Sequence, residues 1–235
     1  MMDVRGGGGL GVWHGIVGEQ QREAEDWYNR EHHAERVAID GFLRARRYVN
    51  QGTGPRYFSR YDVTDVTVLA SQAYLKALDN PSPWSQKMFP HYRKSVRGAF
   101  TVSSRAGEAE GGYLVSLRFG DGAGAIDAAL VRTLSDAVPK LVRSIGVLGV
   151  EIWQVDAGVS IYRSKEKELR GTGEPFPAVA LLLDTSRPEL AADALAEALP
   201  AHALATAAAD TYQLVFQKFA SHRLHPAGCD KESRP

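Results

Sequence analysis

One order of segments occurs twice along the chain, and few folds accept it. Residues 10–17 alternate as a strand, with Val12, His14 and Ile16 on one side and Trp13, Gly15 and Val17 on the other. A helix is predicted over 19–39, ended by Asp40 and Gly41, and a strand over 42–50. Gly52, Thr53, Gly54 and Pro55 make a hairpin turn into a strand over 56–63. Helical sequence follows over 66–80. Ser82 then caps a short helix with Pro83 at its first position, Pro90 is placed to kink or split it, and a strand spans 99–105.

The order then returns: strand 113–119, helix 123–144, strand 147–156, a charged connection over 160–173, strand 178–184, an alanine-rich helical stretch over 188–208 broken at Pro200, and strand 211–219. Val147 follows Gly146 much as Phe42 follows Gly41. Strand, helix, strand, strand, helix, strand is the split βαβ or ferredoxin-like unit. The expected class is therefore α+β: two tandem ferredoxin-like (βαββαβ) repeats whose antiparallel sheets face each other within one chain. The division read from this order is a flexible leader over 1–9, a first unit over 10–108, a second over 109–220 and a polar tail over 221–235.

Composition narrows the function classes. The 28 basic and 28 acidic residues balance, so no net field draws the chain to nucleic acid or to an anionic membrane. Apolar runs such as 178–183 are far too short to span a bilayer. The single cysteine, Cys229, excludes an intrachain disulfide and a cysteine-based metal site, and this suits a reducing cytoplasm, the expected location. No glycine-rich phosphate loop joins a strand to a helix, and no Gly-x-Ser-x-Gly elbow occurs.

The repeat is structural rather than chemical. Four of seven histidines and three of four tryptophans precede residue 100. On the first long helix Ala24, Trp27, Tyr28, Glu31, Glu35 and Ala38 share a side at about 100° per residue. Its counterpart in the second half carries Ala128, Leu130, Leu134, Val138 and Leu141 instead. A carboxylate facing inward must be paired or hold its proton, so Glu31 is a structural ion pair or a chemical site. His14 faces the helix if that strand face turns inward, and a histidine beside a carboxylate makes a general base; a satisfied core histidine is the plain alternative. His32 borders the stripe and is placed to donate to a substrate oxygen, while His33 is expected in solvent. Adjacent histidines lack the spacing of helical metal ligands, and a cluster of Glu31, His32 and His14 is the remaining metal arrangement; no metal and no cofactor is expected.

Arg44 and Arg46 share a strand face with Phe42 and Tyr48, whereas Arg47 faces the other way. Two readings stand: a bidentate clamp on a substrate carboxylate, or neutralisation of Glu31 and Glu35. Tyr48, Tyr57, Trp84, Phe89, His91 and Tyr92 would line a flat pocket, or form plain core.

Trp13-His14, the run from Asp26 to His32, Glu35-Arg36, Gly41-Phe42 to Tyr48, and the segments Pro83-Trp84 and Pro90-His91-Tyr92-Arg93 resemble the EthD-like and related members of the dimeric α/β-barrel superfamily. Ala34 and Asp40 stand where that pattern has prolines. The resemblance covers about the first hundred residues and implies two ferredoxin-like units facing each other as a barrel, with acid-base chemistry on small carbonyl, phenol or lactone compounds. The expected function is a cofactor-independent lyase, isomerase or cyclase acting on a small oxygenated, aromatic or carboxylated metabolite. Glu31 with His14 or His32 would move the proton. Trp27, Tyr28, Glu35, Arg46 and Tyr48 would contact the substrate. The alternatives are a cofactor-independent monooxygenase and a barrel that only binds a small molecule, with a homodimer of the duplicated chain left open.

Overall fold

A computed structural model of the chain describes residues 5–171 and 175–221. Cys229 and most of the expected tail lie outside the described residues, as do residues 1–4 of the expected leader. The first unit runs β1 (Gly8–Ile16), α1 (Gln21–Trp27), a single wide turn over Tyr28–His32, α2 (His33–Val37), β2 (Phe42–Asn50), β3 (Tyr57–Val63), α3 (Gln72–Asp79), α4 (Pro83–Met88) and β4 (Tyr92–Ala106). The second runs β5 (Tyr113–Phe119), α5 (Ala128–Leu141), β6 (Val147–Val155), α6 (Ala157–Ser160), α7 (Lys165–Arg170), β7 (Val179–Thr185), α8 (Pro188–Ala198), α9 (Ala201–Ala205) and β8 (Ala208–Phe219).

The expected tandem fold is present, and its two sheets are joined along both edges. The closed order is β1-β3-β2-β8-β5-β7-β6-β4, with β4 returning to β1. Antiparallel pairing of β2 with β8 and of β4 with β6 makes the seams, so no strand edge is left to template aggregation. Each half reads 4-1-3-2 across its own four strands, as a ferredoxin-like unit does. Gly41 and Gly146, which precede β2 and β6, both sit in the left-handed region at φ 88° and 85°. A Cβ is costly there, which is why glycine recurs at the same place in each half.

Several boundaries differ from expectation for local reasons. β1 begins at Gly8, two residues inside the expected leader, because Gly8 and Gly9 pair with both β3 and β4. Pro90 splits the helix it enters: α4 stops at Met88 and Tyr92 already opens β4, seven residues earlier than expected. A short helix, α6, precedes the charged connection, which itself supplies α7, capped by Ser164. No helix among the described residues is long and apolar enough to cross a membrane.

Alternation along the strands divides the side chains between barrel interior and helix-covered exterior. Trp13, Phe58, Phe100, Trp153 and Tyr212 pack inside, with Trp13 stacked on Phe58 at 4.5 Å. Arg44, Arg46 and Tyr48 also point inside. There the arginines meet Asp62, to which Arg44 Nε donates at 2.8 Å and Arg46 Nη2 at 3.0 Å, and Arg60 Nε donates to its other oxygen at 2.8 Å. Arg44 and Arg46 share the interior face with Tyr48 as expected, but Phe42 does not, because an irregularity between Phe42 and Arg44 turns it to the helix side beside Tyr61 and Tyr74. The arginines neutralise Asp62 and Glu110, and not Glu31 or Glu35. Three guanidiniums hold the Asp62 carboxyl well below the usual carboxylate range despite its burial.

Candidate active site

The outer face of the first sheet, under α1 and α2, is the other wall of interest. It is polar where a sheet-helix interface is normally apolar. β1 contributes His14, β3 Tyr57, Ser59 and Tyr61, and β4 Tyr92 and Arg97. The helical layer contributes Tyr28, His32, His33 and Arg36, all buried.

The wide turn explains why two successive histidines can both be inside. In Tyr28–His32 the backbone bonds run i to i+5, which accommodates one residue beyond an α-turn. The residues after it rotate relative to a regular wheel, and His33, expected in solvent, is fully buried. Its Nδ1 is hydrogen-bonded to the Tyr61 hydroxyl at 3.0 Å, and its ring stacks on Tyr28 and on Phe216 of β8. His32 stacks on Trp27 at 4.4 Å, and its buried Nδ1 has no partner. Burial, helped by Arg36 beside His32 and Arg47 beside His33, lowers both imidazoles well below their usual range, so both are neutral at pH 7.

His14 lies at the centre of a short chain of polar groups. Its Nε2 is 2.9 Å from the Tyr28 hydroxyl, which is in turn hydrogen-bonded to the Tyr92 hydroxyl in a very short contact. His14 Nδ1 is 3.2 Å from the Gly15 carbonyl oxygen, which can only accept. In the neutral ring this assigns the proton to Nδ1 and leaves Nε2 to accept from Tyr28. Tyr28 can then accept from Tyr92. The His14 ring also lies flat on Tyr92, at 4.2 Å and 12°. Burial pushes the Tyr28 phenol up to about 12 and the Tyr92 phenol well above its usual range, so both remain protonated. Groups bonded in this order can pass a proton along without ionising one by one.

Tyr28, His32 and Tyr92 line a cavity of about 20 Å³, with Arg36, Arg97 and Glu166 also in its wall. That is room for about one water molecule. Glu166 comes from α7, in the second half, and pairs with Arg36 in a buried, very short contact. Arg170, one turn on, donates to Glu166 at 3.2 Å and lies over the Phe89 ring at 5.0 Å. The charged connection of one unit thus closes the cleft of the other.

The remaining expected site residues fall in three places. Trp27, Phe89 and Tyr57 are buried around the cleft; Trp27 Nε1 donates to Ser85 and Tyr57 donates to Glu25. Glu31, Trp84 and His91 are half-buried at its rim, and Glu35 is exposed. Arg46 and Tyr48 are inside the barrel, across the sheet from His14, so they do not join this cleft. The expected His14–Glu31 pair does not form: Glu31 accepts from Ser82 Oγ at 2.5 Å, and the partner of His14 is Tyr28. Tyr61, Tyr74, Arg97, Glu166 and Arg170 were missed. Strand alternation gives no signal for Arg97, which lies five residues from Tyr92 and comes to the same face only through the irregularity between Arg93 and Val96. Among the described residues no group of three histidine, cysteine or acidic side chains is arranged to hold a metal ion.

No protein-family model and no curated protein matches this sequence. Solved structures do. A protein described as anthrone oxidase-like superposes with a TM-score of 0.59 at 8% identity, over 95% of this chain and 97% of the other. A monooxygenase so named by similarity, from Fusobacterium nucleatum subsp. nucleatum, superposes at 0.51 and 8% identity, over 91% and 95%. At such identity the likeness establishes the fold alone, two ferredoxin-like units closed into one α/β barrel, over the 91–95% of the chain that is matched.

Proposed function

We propose that the cleft is the active site of a cofactor-independent enzyme that removes a proton from a small enolisable or phenolic compound and passes the resulting anion to dioxygen. The observation that carries this reading is the buried chain Tyr92–Tyr28–His14, which begins in the cavity wall and ends on an acceptor nitrogen. A proton arriving at the Tyr92 oxygen displaces the Tyr92 proton to Tyr28, and the Tyr28 proton to His14 Nε2. Neither phenol has to ionise separately, which their raised pKa values forbid near neutrality. Arg36 Nη1, buried without a partner, and His32 Nδ1 are placed to hydrogen-bond the oxygen on which charge develops.

The chemistry after proton removal belongs to the substrate. For a methylene between two aryl rings and conjugated through them to a carbonyl, as in anthrone, the carbanion gives an electron pair to dioxygen and a C–O bond forms. Return of the proton gives a hydroperoxide. Loss of the second carbon-bound hydrogen as a proton, with O–O cleavage, leaves the ketone and one water. One dioxygen is consumed and no external reductant is needed. The likeness to an anthrone oxidase-like protein supports the choice of anthrone as the first probe. An isomerase or cyclase shares the first step and consumes no oxygen.

The test is an oxygen electrode with anthrone. Wild type should take up one dioxygen per anthraquinone formed, and His14→Ala should lose about 10²-fold in kcat, the usual contribution of a positioned base. Turnover without oxygen uptake would favour the isomerase or cyclase outcome. Oxygen uptake unchanged in His14→Ala would remove the relay from the mechanism.

A further inference from the structure

The wall of the cleft is out of electrical balance. Arg36 and Arg97 are buried there, and among the described residues Glu166 is the one carboxylate lining the same cavity. Arg170 adds a third guanidinium to that wall and also pairs with Glu166. Glu166 is shared between Arg36 and Arg170, while Arg97 Nη2 donates at 2.9 Å to the Tyr74 hydroxyl, a neutral group. No carboxylate among the described residues is in ion-pair contact with Arg97. Arg36 keeps a buried Nη1 without a partner. A guanidinium cannot shed its charge, and burying one without an anion is costly.

We infer that the ligand of this cleft carries a carboxylate, that Arg97 and Arg36 bind it, and that Glu166 of α7 is its internal competitor. The inference takes the cleft of the proposed function as its site but not the relay chemistry. A water-sized cavity admits a metabolite only if part of its wall moves. The strands are fixed by the barrel and α2 packs on β2 and β8, whereas α7 is six residues long and is held by side-chain contacts: Ser164 at its start, Asp79, which accepts from Tyr162 and from the Lys165 backbone N–H, the Glu166–Arg36 pair, and Leu169 and Arg170 against the aromatic cluster. When α7 withdraws, Glu166 leaves Arg36. An incoming carboxylate replaces it like for like, and adds the partner that Arg97 lacks. A neutral ligand would leave both guanidiniums buried and unpaired. The cleft therefore selects an anion by the cost of opening for anything else. Planar arginine forks also match a carboxylate bidentately.

The experiment is calorimetric titration of wild type, Glu166→Gln and Arg97→Met with benzoate and anthraquinone-2-carboxylate, each set against its carboxamide. At least one carboxylate should bind wild type tenfold or more tightly than its amide. Glu166→Gln, which lacks the competitor, should bind it a further tenfold tighter, and Arg97→Met should bring it to the level of the amide. Equal affinity for acid and amide in wild type and Glu166→Gln, or weaker carboxylate binding in Glu166→Gln, overturns the inference. If Glu166→Gln does not fold, Arg97→Met decides alone, since that arginine has only a hydroxyl as side-chain partner. Carboxylate binding without oxygen uptake from any probe would sink the proposed reaction and leave this inference standing. Anthrone oxidation with no preference for carboxylates would do the reverse.

Discussion

At the residue scale, the chain spends its histidines unusually. His14, His32 and His33 are all buried in one unit, within a single cluster of aromatic rings. Two of them stay neutral because burial and the neighbouring arginines oppose a charge. This has a consequence for stability with a definite sign. The unfolded chain protonates each imidazole near pH 6.5, whereas the folded chain resists until well below that. Their contribution is complete above about pH 6.5 and is lost as pH falls, at about 1.4 kcal/mol per pH unit for each histidine. Urea unfolding at pH 7.5 and 5.5 should show this loss in wild type and a smaller one in His33→Phe. Equal losses would mean that His33 is not held neutral. Trp27 and Tyr28 are buried, as their place on the core-facing stripe predicts, and His32, at its border, is buried with them. Glu31 was overvalued because a wheel at a constant angle per residue assumes a regular helix, and the turn at Tyr28–His32 is not one.

At the element scale, α7 is the part that decides whether the cleft is open. Its sequence, Lys165-Glu166-Lys167-Glu168-Leu169-Arg170, looks like a solvated helix, and Glu168 indeed is 70% exposed while Glu166, two residues away, is 3% exposed. Nothing in a run of alternating charges says which carboxylate turns inward; that depends on Arg36, 130 residues earlier. The repeat itself was legible, because strand alternation and glycine punctuation are local, and so was the split of a helix at Pro90. The wide turn was not, since its reason for existing lies in what it buries against β3 and β8. Ser164 Oγ accepts from the Lys167 backbone N–H at 3.2 Å, and Ser164→Ala should weaken α7 by about 1 kcal/mol. Amide hydrogen exchange over Lys165–Arg170 should speed up accordingly, with the barrel strands unaffected. Unchanged exchange would show that α7 is held by its ion pairs alone.

At the scale of the whole molecule, the fused barrel separates two buried polar systems on opposite faces of one sheet. The interior network joins both halves through Arg60, which donates to Asp62 at 2.8 Å and to Glu151 at 2.7 Å. Breaking it at its centre with Asp62→Asn should cost about 3 to 5 kcal/mol at pH 7, because three arginines lose a shared partner. Asp184 behaves oppositely. Burial raises its carboxyl to about 6, and Arg46 and Arg60 stand 4.0 Å away. The folded state therefore holds a proton that the unfolded state has released, and the benefit present at pH 4 is lost as pH rises through 6. Asp184→Asn should be close to neutral at pH 4 and stabilising by on the order of 2 kcal/mol at pH 7.5, in chemical denaturation. Destabilisation at pH 7.5 would show that the distant arginines are real partners of Asp184.

The proton chain on the outer face is best tested without oxygen at all. Under nitrogen in D₂O, the methylene protons of anthrone should exchange in the presence of wild type, and Tyr28→Phe, which breaks the link between Tyr92 and His14, should slow that exchange by 10²-fold or more while binding of anthrone is kept. Exchange as fast in Tyr28→Phe as in wild type would mean that the proton leaves by another route, and that this buried chain of two tyrosines and a histidine is scaffolding.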